Sequence, residues 1–426
     1  KSDKCLIIQG ARQIGKTTIV REFGKAYYDS FIELNFIEEP SCCDIFSDSL
    51  QSNDIIMALR LNKPDTNIID GKTLIFLDEI QSCPKAITAL KFMAKDNRYD
   101  VICSGSALGI AYNNADSYPV GSIDYIDMHA LDFREFLWAL NIIDEIIDEL
   151  SNYFISRTKV PQAIHDKMME YLKQYIVVGG MPEVVATFVK DRDYYVVDQI
   201  QRRLYRDYIN DIAHYASGDI KIKAENCYKA IPAQLLKENH KFQYKLVEKK
   251  GTDRKFESCI DWLVRANMAY LIKNVKSISF PLNAYEMDDN FRIYPNDIGL
   301  LICTYPYELK IALLNDSFDQ PSNNLVLGSA KGGIYEALAC DILQKNNVQN
   351  IHFFRNEKST IEIEFLLETM DGIIPLEVKA GRQKTKSLNT ILMEPFVPYG
   401  YKFSSQNIGV QEDKITMPLY MLMFVK

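Results

Sequence analysis

The sequence has no C-x-x-C pair, and none of its five histidines clusters with its nine cysteines. That excludes the usual sequence signature of a zinc site. Cys5, Cys42, Cys43, Cys83, Cys103, Cys227, Cys259, Cys303 and Cys340 are scattered, several of them in apolar stretches, which fits reduced thiols better than a disulfide framework. The compartment expected from that usage is the cytoplasm. No apolar run approaches the roughly 20 residues a helix needs to cross a bilayer, so no membrane partner is expected. No secretory leader is visible. The opening at Lys1, without Met and three residues ahead of the first expected strand, reads as a chain missing part of its natural N-terminus. Positive charge is also short. A net charge of −8 argues against broad, non-specific nucleic-acid binding and leaves room only for a local basic patch. The remaining composition, 47% hydrophobic and 25% charged, is that of an ordinary globular protein, and 426 residues are enough for two to four domains.

The most informative stretch is LIIQGARQIGKTTIV, residues 6–20. Gly10, Gly15, Lys16 and Thr17 stand in G-x-x-x-x-G-K-[ST] spacing between an apolar strand and a helix-compatible run, the context a phosphate-binding loop needs. Glycines let the backbone curl so that several N–H groups point at one anion, and the following helix adds its positive end. The expected cradle is Gly10, Ala11, Arg12, Gln13, Ile14, Gly15, Lys16, Thr17 and Thr18, with Lys16 on the outer phosphates of ATP and the Thr17 hydroxyl on Mg2+. A second motif, TLIFLDEI at 73–80, is an apolar run ending in Asp78 and Glu79. Such a run reads as a parallel strand buried on both faces, and open α/β sheets bind ligands at its C-terminal end. There Asp78 is expected to hold the Mg2+ shell and Glu79 to polarise the attacking water. Ser104, at the end of a further strand, is either a contact to the γ-phosphate or water, or part of a simple Ser-Gly turn.

Strand signals at 4–9, 31–36, 73–78, 99–104 and 123–128 alternate with helical stretches at 16–28, 44–61 and 84–95, which predicts a mostly parallel sheet covered by helices. Residues from about 132 to 225 read as helical, interrupted by GGMPEVV at 179–185, where a tight turn is expected. Arg202, Arg203 and Arg206 form a basic cluster on one of these helices that faces either phosphates or solvent. Residues 226–300 follow a helix, turn, helix, hairpin order. This predicts a winged-helix-like module, with Lys249, Lys250, Arg254 and Lys255 opening a helix that double-stranded DNA could meet. The final stretch reads as an α/β unit in which Glu377 and Lys379 share one face of a strand and Glu364 lies on the strand before. With Glu336 on a helix, this is a candidate second metal site of phosphodiester-nuclease type, or an internal ion pair on a charged strand. The expected boundaries are 1–135 for the P-loop core, 136–225 for a helical lid or linker, 226–305 for the winged-helix-like module and 306–426 for the C-terminal α/β domain.

GARQIGKTT, FLDEIQ, SGSALG, VGSIDYIDMHALDFREF, GGMPEVV and IEIEFLLE…IIPLEVKAG together resemble a prokaryotic family of AAA+-type P-loop ATPases that end in a C-terminal domain of formerly unknown function. The resemblance covers nearly the whole chain. It implies ATP binding and hydrolysis, and a tail of restriction-endonuclease-like fold. Two positions depart from that family. Glu364 stands before Phe365 where many members carry Asp, which moves the carboxylate by the length of a methylene and disfavours a metal-dependent nuclease. Ser122 follows Gly121 where members often carry Arg or Lys, so a basic finger at that position is missing. Three functions stay open: an ATPase controlling a DNA- or partner-binding C-terminal half, an ATP-dependent nuclease, and a nucleotide-gated scaffold that does not hydrolyse. An oligomer or protein partner is compatible with each.

Overall fold

The computed structural model describes residues 3–106, 119, 121–216, 218–237, 240–249, 251–315, 324–379 and 386–426. The chain divides into two compact units, Lys1–His129 with Arg265–Asn267, and Ala130–Val264 with Met268–Lys426.

In the first unit the order is β1 (Cys5–Gln9), α1 (Lys16–Tyr27), β2 (Ser30–Asn35), α2 (Ser52–Asn62), β3 (Thr73–Asp78), α3 (Pro84–Asp96), β4 (Asp100–Gly105) and β5 (Ile123–Asp127). The five strands pair in parallel in the order β2-β3-β4-β1-β5. β3 is buried along its whole length, as its unbroken apolar run requires for a strand covered on both faces. Ile7, Leu34, Ile75, Leu77 and Cys103 face a core closed by α2 and α3, while Ile8, Leu74, Phe76 and Ile102 pack with Val20 of α1 on the opposite face. The expected helix 44–61 is instead a 3-10 turn over Pro40–Phe46, a break, and then α2. Pro40 starts the turn without needing an N–H, and Gln51 in extended conformation restarts the chain as the cap of α2.

The second unit opens with helices α4 (Phe133–Ala139), α5 (Asp144–Ser156), α6 (Gln162–Val178), α7 (Pro182–Asp191), α8 (Tyr194–Tyr215), α9 (Asp219–Leu235), α10 (Tyr244–Val247) and α11 (Asp253–Arg265). Then come β6 (Ala269–Val275), β7 (Glu286–Pro295), α12 (Ile298–Ile302), α13 (Tyr307–Leu314), α14 (Asn324–Lys345), β8 (His352–Arg355), β9 (Glu362–Thr369), β10 (Gly372–Val378), α15 (Lys386–Ile391), β11 (Gly400–Ser404), β12 (Gly409–Gln411) and β13 (Lys414–Pro418). Its strands form one mixed sheet, ordered β12-β13-β11-β10-β9-β8-β6-β7. Helices α9 to α11 followed by the antiparallel pair β6–β7 keep the helix, turn, helix, hairpin order read from the sequence. β6, however, also pairs in parallel with β8, so this hairpin is the end of the eight-stranded sheet.

The GGMPE turn is fixed by a buried charge cluster. Gly179 has φ +74°, and a Cβ there would sit 2.4 Å from Asp297 Oδ1. The Gly180 N–H donates to Asp297 Oδ2 at 2.7 Å. Lys345 reaches Asp297 at 3.1 Å and Asp341 at 3.0 Å, and the Tyr175 hydroxyl donates to Asp341 at 3.0 Å. Burial lifts the Asp341 carboxyl to about 7 despite the pull of Lys345. Gly179 is therefore required by the close approach of the turn before α12, and Gly180 by the Leu131 carbonyl, 2.0 Å from where a Cβ would lie, with Lys345 Nζ of α14 at 2.8 Å.

Candidate functional site

β1 ends at Gln9, and the chain turns through a loop whose conformation is unusual at three points. Gly10 has φ +153°, Gln13 φ 61° and Gly15 φ 96°, the last capping α1. At Gly10 a side chain is also excluded by space, because a Cβ would lie 2.2 Å from the Met128 carbonyl oxygen. Buried Ala11 and Ile14 pin the loop to the unit's interior. A chain alternating between right- and left-handed conformations turns its N–H groups inward, and the start of α1 adds four unpaired donors to the same place. Such a loop conformation can accept an anion, the role expected from the sequence for residues 10–18.

Lys16 is the first residue of α1 and is only 6% exposed. Its ammonium donates to the carbonyls of Gly10 at 3.0 Å and Ala11 at 2.6 Å, so it lies folded over the loop's own mouth. Burial pushes it down to about 8, against the opposing pull of Glu79 and Asp78. Thr17 donates its hydroxyl to Asp78 Oδ2 at 3.0 Å. Asp78, 1% exposed at the end of β3, also accepts from Asn35 at 3.1 Å and from the Ser104 hydroxyl. Burial raises the Asp78 carboxyl, and the hydroxyls of Ser104 and Thr17 draw it back down. Parallel register explains the convergence: Asn35 is paired with Asp78 across β2–β3, and Leu77 with Cys103 across β3–β4, so side chains from three strand ends meet above the loop.

Glu79 follows with φ 54°, a left-handed conformation costly for a residue with a side chain. It is half-buried, and its carboxylate accepts from the Gln81 amide. Ser104 is fully buried with its hydroxyl directed to Asp78, which makes it a support for that carboxylate. Asn35 and Gln81 were not anticipated. Asn35 was legible only as the polar end of FIELN, and its dual role needs the structure: one amide end reaches Asp78, while its oxygen accepts from the N–H groups of Ile37 and Glu38, both at 3.0 Å.

In the second unit, β9 and β10 are antiparallel neighbours, with Leu376 opposite Phe365. That register sets Glu377 beside Glu364. Lys379 stands between them, 2.7 Å from Glu364 and 3.6 Å from Glu377. Glu364 Oε2 also accepts from the Val378 N–H at 3.3 Å, whereas Glu377 Oε2 is buried without a partner. Burial raises both carboxyls, that of Glu377 to about 7, and Lys379 opposes the rise in each. Glu336 lies in an adjoining buried network. It accepts from Arg292 at 2.6 Å, from Tyr294 and from His240. Burial would lift its carboxyl, but Arg292 and His240 overcome this and hold it at about 2. The four residues thus fall into two linked ion clusters, Glu364–Lys379–Glu377 and Glu336–Arg292–His240. Among the described residues no group of three or more His, Cys, Asp or Glu is placed to hold one metal ion.

On α11, Lys255 pairs with Glu248 at 2.7 Å. Lys249 is exposed, while Lys250 and the Arg254 side chain lie outside the described residues. A pocket beside that helix is lined by Glu257, Asp261, Asp288 and Asp289, with Lys273 held at 2.8 Å by Asp288. Among the described residues no helix is long and apolar enough to cross a membrane.

Residues 2–137 match the sequence model of the AAA domain, and residues 169–310 match that of a domain of unknown function, DUF8612. The second match ends before Glu336, Glu364, Glu377 and Lys379. No curated protein matches the chain. Solved structures that are similar include a Walker-type ATPase of Pyrococcus abyssi, 12% identical, covering 71% of this chain and 91% of the other at a TM-score of 0.41. Others are the Aeropyrum pernix ORC1 protein in complex with DNA, 11% identical, covering 74% and 87% at 0.30, and AMPPCP-bound DnaA from Aquifex aeolicus, 12% identical, covering 62% and 80% at 0.27. Loop geometry and sheet order fit a P-loop core, and residues 2–137 match the AAA domain, so the N-terminal unit is similar to an AAA-type nucleotide-binding domain.

Proposed function

We propose that this chain is a cytoplasmic Mg2+-dependent ATPase whose nucleotide state controls a DNA- or partner-binding C-terminal half. The observation that carries the reading is the convergence of Lys16, Thr17, Asp78 and Glu79 at one loop mouth. A hydroxyl and a carboxylate in contact at 3.0 Å are hard oxygen donors of the kind Mg2+ takes, so Thr17 and Asp78 would hold the ion. Bound there, Mg2+ would neutralise charge building on the β- and γ-phosphate oxygens.

The protein's own groups divide the remaining work. The loop N–H groups and the N-terminus of α1 bind the phosphates. Lys16 exchanges the carbonyls of Gly10 and Ala11 for phosphate oxygens, which restores its full charge. Asn35 and Ser104 donate to Asp78 and aim it. Glu79 accepts a proton from the attacking water, and its strained backbone is the sort of feature retained at functional positions. Gln81, on the same carboxylate, sets its direction.

Glu79→Gln keeps the shape and removes the base. It should bind ATP like the parent and hydrolyse it at least a hundredfold more slowly, the order expected for a general base. Parental turnover in this variant would remove Glu79 from the mechanism. The nuclease alternative is not favoured, because Glu364 stands where the resembled family carries Asp; Lys379 pairs with both Glu364 and Glu377.

A further inference from the structure

Helices α8 and α9 and the turn at residues 303–305 enclose a groove of about 810 Å3. Its lining contains three cations, Arg202, Arg206 and Lys229, and no acidic side chain. Tyr205, Tyr305 and Pro232 add apolar surface. In a chain of net charge −8 such a concentration of one sign is not the average surface. Arg202 is held in place from behind: its Nε donates to Asp198 at 2.7 Å and its terminal nitrogen to the Tyr305 carbonyl at 3.1 Å, yet its side chain stays 42% exposed. Arg206 is exposed one turn further along the same helix, and Lys229 is exposed on the other wall, steadied by Glu225. Tyr205 is backed by Tyr228, stacked at 5.5 Å, which stiffens it as a platform. The helix expected to meet DNA is bordered by the opposite charge, since four carboxylates line the pocket beside it.

We propose that the α8–α9 groove binds a single strand of nucleic acid, with Arg202, Arg206 and Lys229 on successive phosphates and the Tyr205 ring against a base. This rests on the nucleic-acid-binding reading of the C-terminal half and narrows it. Arg202 and Arg206 lie about 6 Å apart on α8, and the α8 wall of the groove runs from Gln199 to Arg206, roughly 10 Å along the helix axis. With at least about 3.4 Å of strand per nucleotide, that is room for up to about three nucleotides. Arg202 and Arg206 on one wall and Lys229 on the other can flank a single backbone lying between them. Cations on phosphates combined with an aromatic face for a base is the general chemistry of single-strand binding.

Fluorescence anisotropy of a labelled 12-nucleotide oligothymidylate against the full chain tests the proposal. Arg206→Glu with Lys229→Glu, both exposed and remote from the core, should weaken binding at least tenfold. The slope of log affinity against log salt should become shallower by about 1.4, at about 0.7 per single-strand phosphate contact. Tyr205→Leu should weaken binding about tenfold and leave the slope unchanged. Lys249→Glu with Lys255→Glu should bind like the parent. Parental binding by the groove variant overturns the groove, as does loss confined to the Lys249 and Lys255 variant, while both leave a nucleic-acid-binding C-terminal half standing. Tighter binding of the duplex than of the single strand overturns the strand assignment. Equal competition by polyglutamate of matched charge would instead assign the groove to an acidic protein. Absence of binding by the parent overturns the groove and the nucleic-acid reading together.

Discussion

Raising the pH should release ATP from this protein while making the empty protein more stable, and both effects trace to Lys16. Its ammonium is buried and lies at about 8, below the 10.5 of a free lysine. If only the charged form engages phosphate, it is about 91% charged at pH 7 and about 9% at pH 9, so ATP affinity should fall roughly tenfold between them, about 1.4 kcal/mol. The sign for folding is opposite. The folded pKa is depressed, so between about 8 and 10.5 the unfolded chain binds the extra proton, and stability rises with pH through that window. At neutral pH the buried charge costs up to about 3 kcal/mol, from the same displacement of the pKa. The assay is titration of a fluorescent ATP analogue with Mg2+ at pH 7, 8 and 9, beside urea denaturation of the empty protein at pH 8 and 10. Lys16→Arg, which stays charged, should remove most of the fall in affinity. Lys16→Met should remove the rise in stability between pH 8 and 10. Equal affinity at pH 7 and 9, or the same fall in Lys16→Arg, would refute the reasoning.

Three further outcomes follow from the geometry. Ser104→Ala removes a donor from buried Asp78 and should cost about 1–3 kcal/mol of stability and raise the Mg2+ concentration needed for turnover. Loss of turnover with an unchanged Mg2+ requirement would instead place Ser104 at the γ-phosphate. Gly180→Ala would put a Cβ 2.0 Å from the Leu131 carbonyl and 2.8 Å from Lys345 Nζ, and should destabilise the protein by about 3 kcal/mol or more in urea denaturation. Lys379→Met leaves Glu364 and Glu377 buried without their shared cation, so it should cost about 3–5 kcal/mol at pH 8. That deficit should shrink at pH 5, where carboxyls already raised by burial take up protons in the folded state; an equal deficit at both pH values would show that the pair does not behave as buried carboxylates.

The P-loop and the acidic strand end were legible because their chemistry is local. Spacing within about ten residues fixes which groups can face one anion, and an apolar run fixes a buried strand. The partners of Asp78 were not legible, because Asn35 and Ser104 reach it through parallel pairing of strands far apart in sequence. The same limit held at GGMPE: a turn could be read from Gly179, Gly180 and Pro182, but the reason for two glycines is the approach of Asp297 to Gly179 and of the Leu131 carbonyl and Lys345 to Gly180, all far away in sequence. α2 starts late because Pro40 and Gln51 carry local signals that outweigh a loose helical pattern. In the C-terminal unit, strand alternation put Glu377 and Lys379 on one face, and the β9–β10 register sets Glu364 beside Glu377. Alternation could not show that Lys379 pairs with both, or that Glu336 is engaged by Arg292 and His240.

The most direct test of the account is calorimetric titration of Mg2+-ATP into the full chain and into Lys16→Ala. The parent should show one saturable site per chain, dependent on Mg2+, and the variant no detectable site. A parent that shows no saturable heat, or a variant that binds with the parent's affinity, would contradict it.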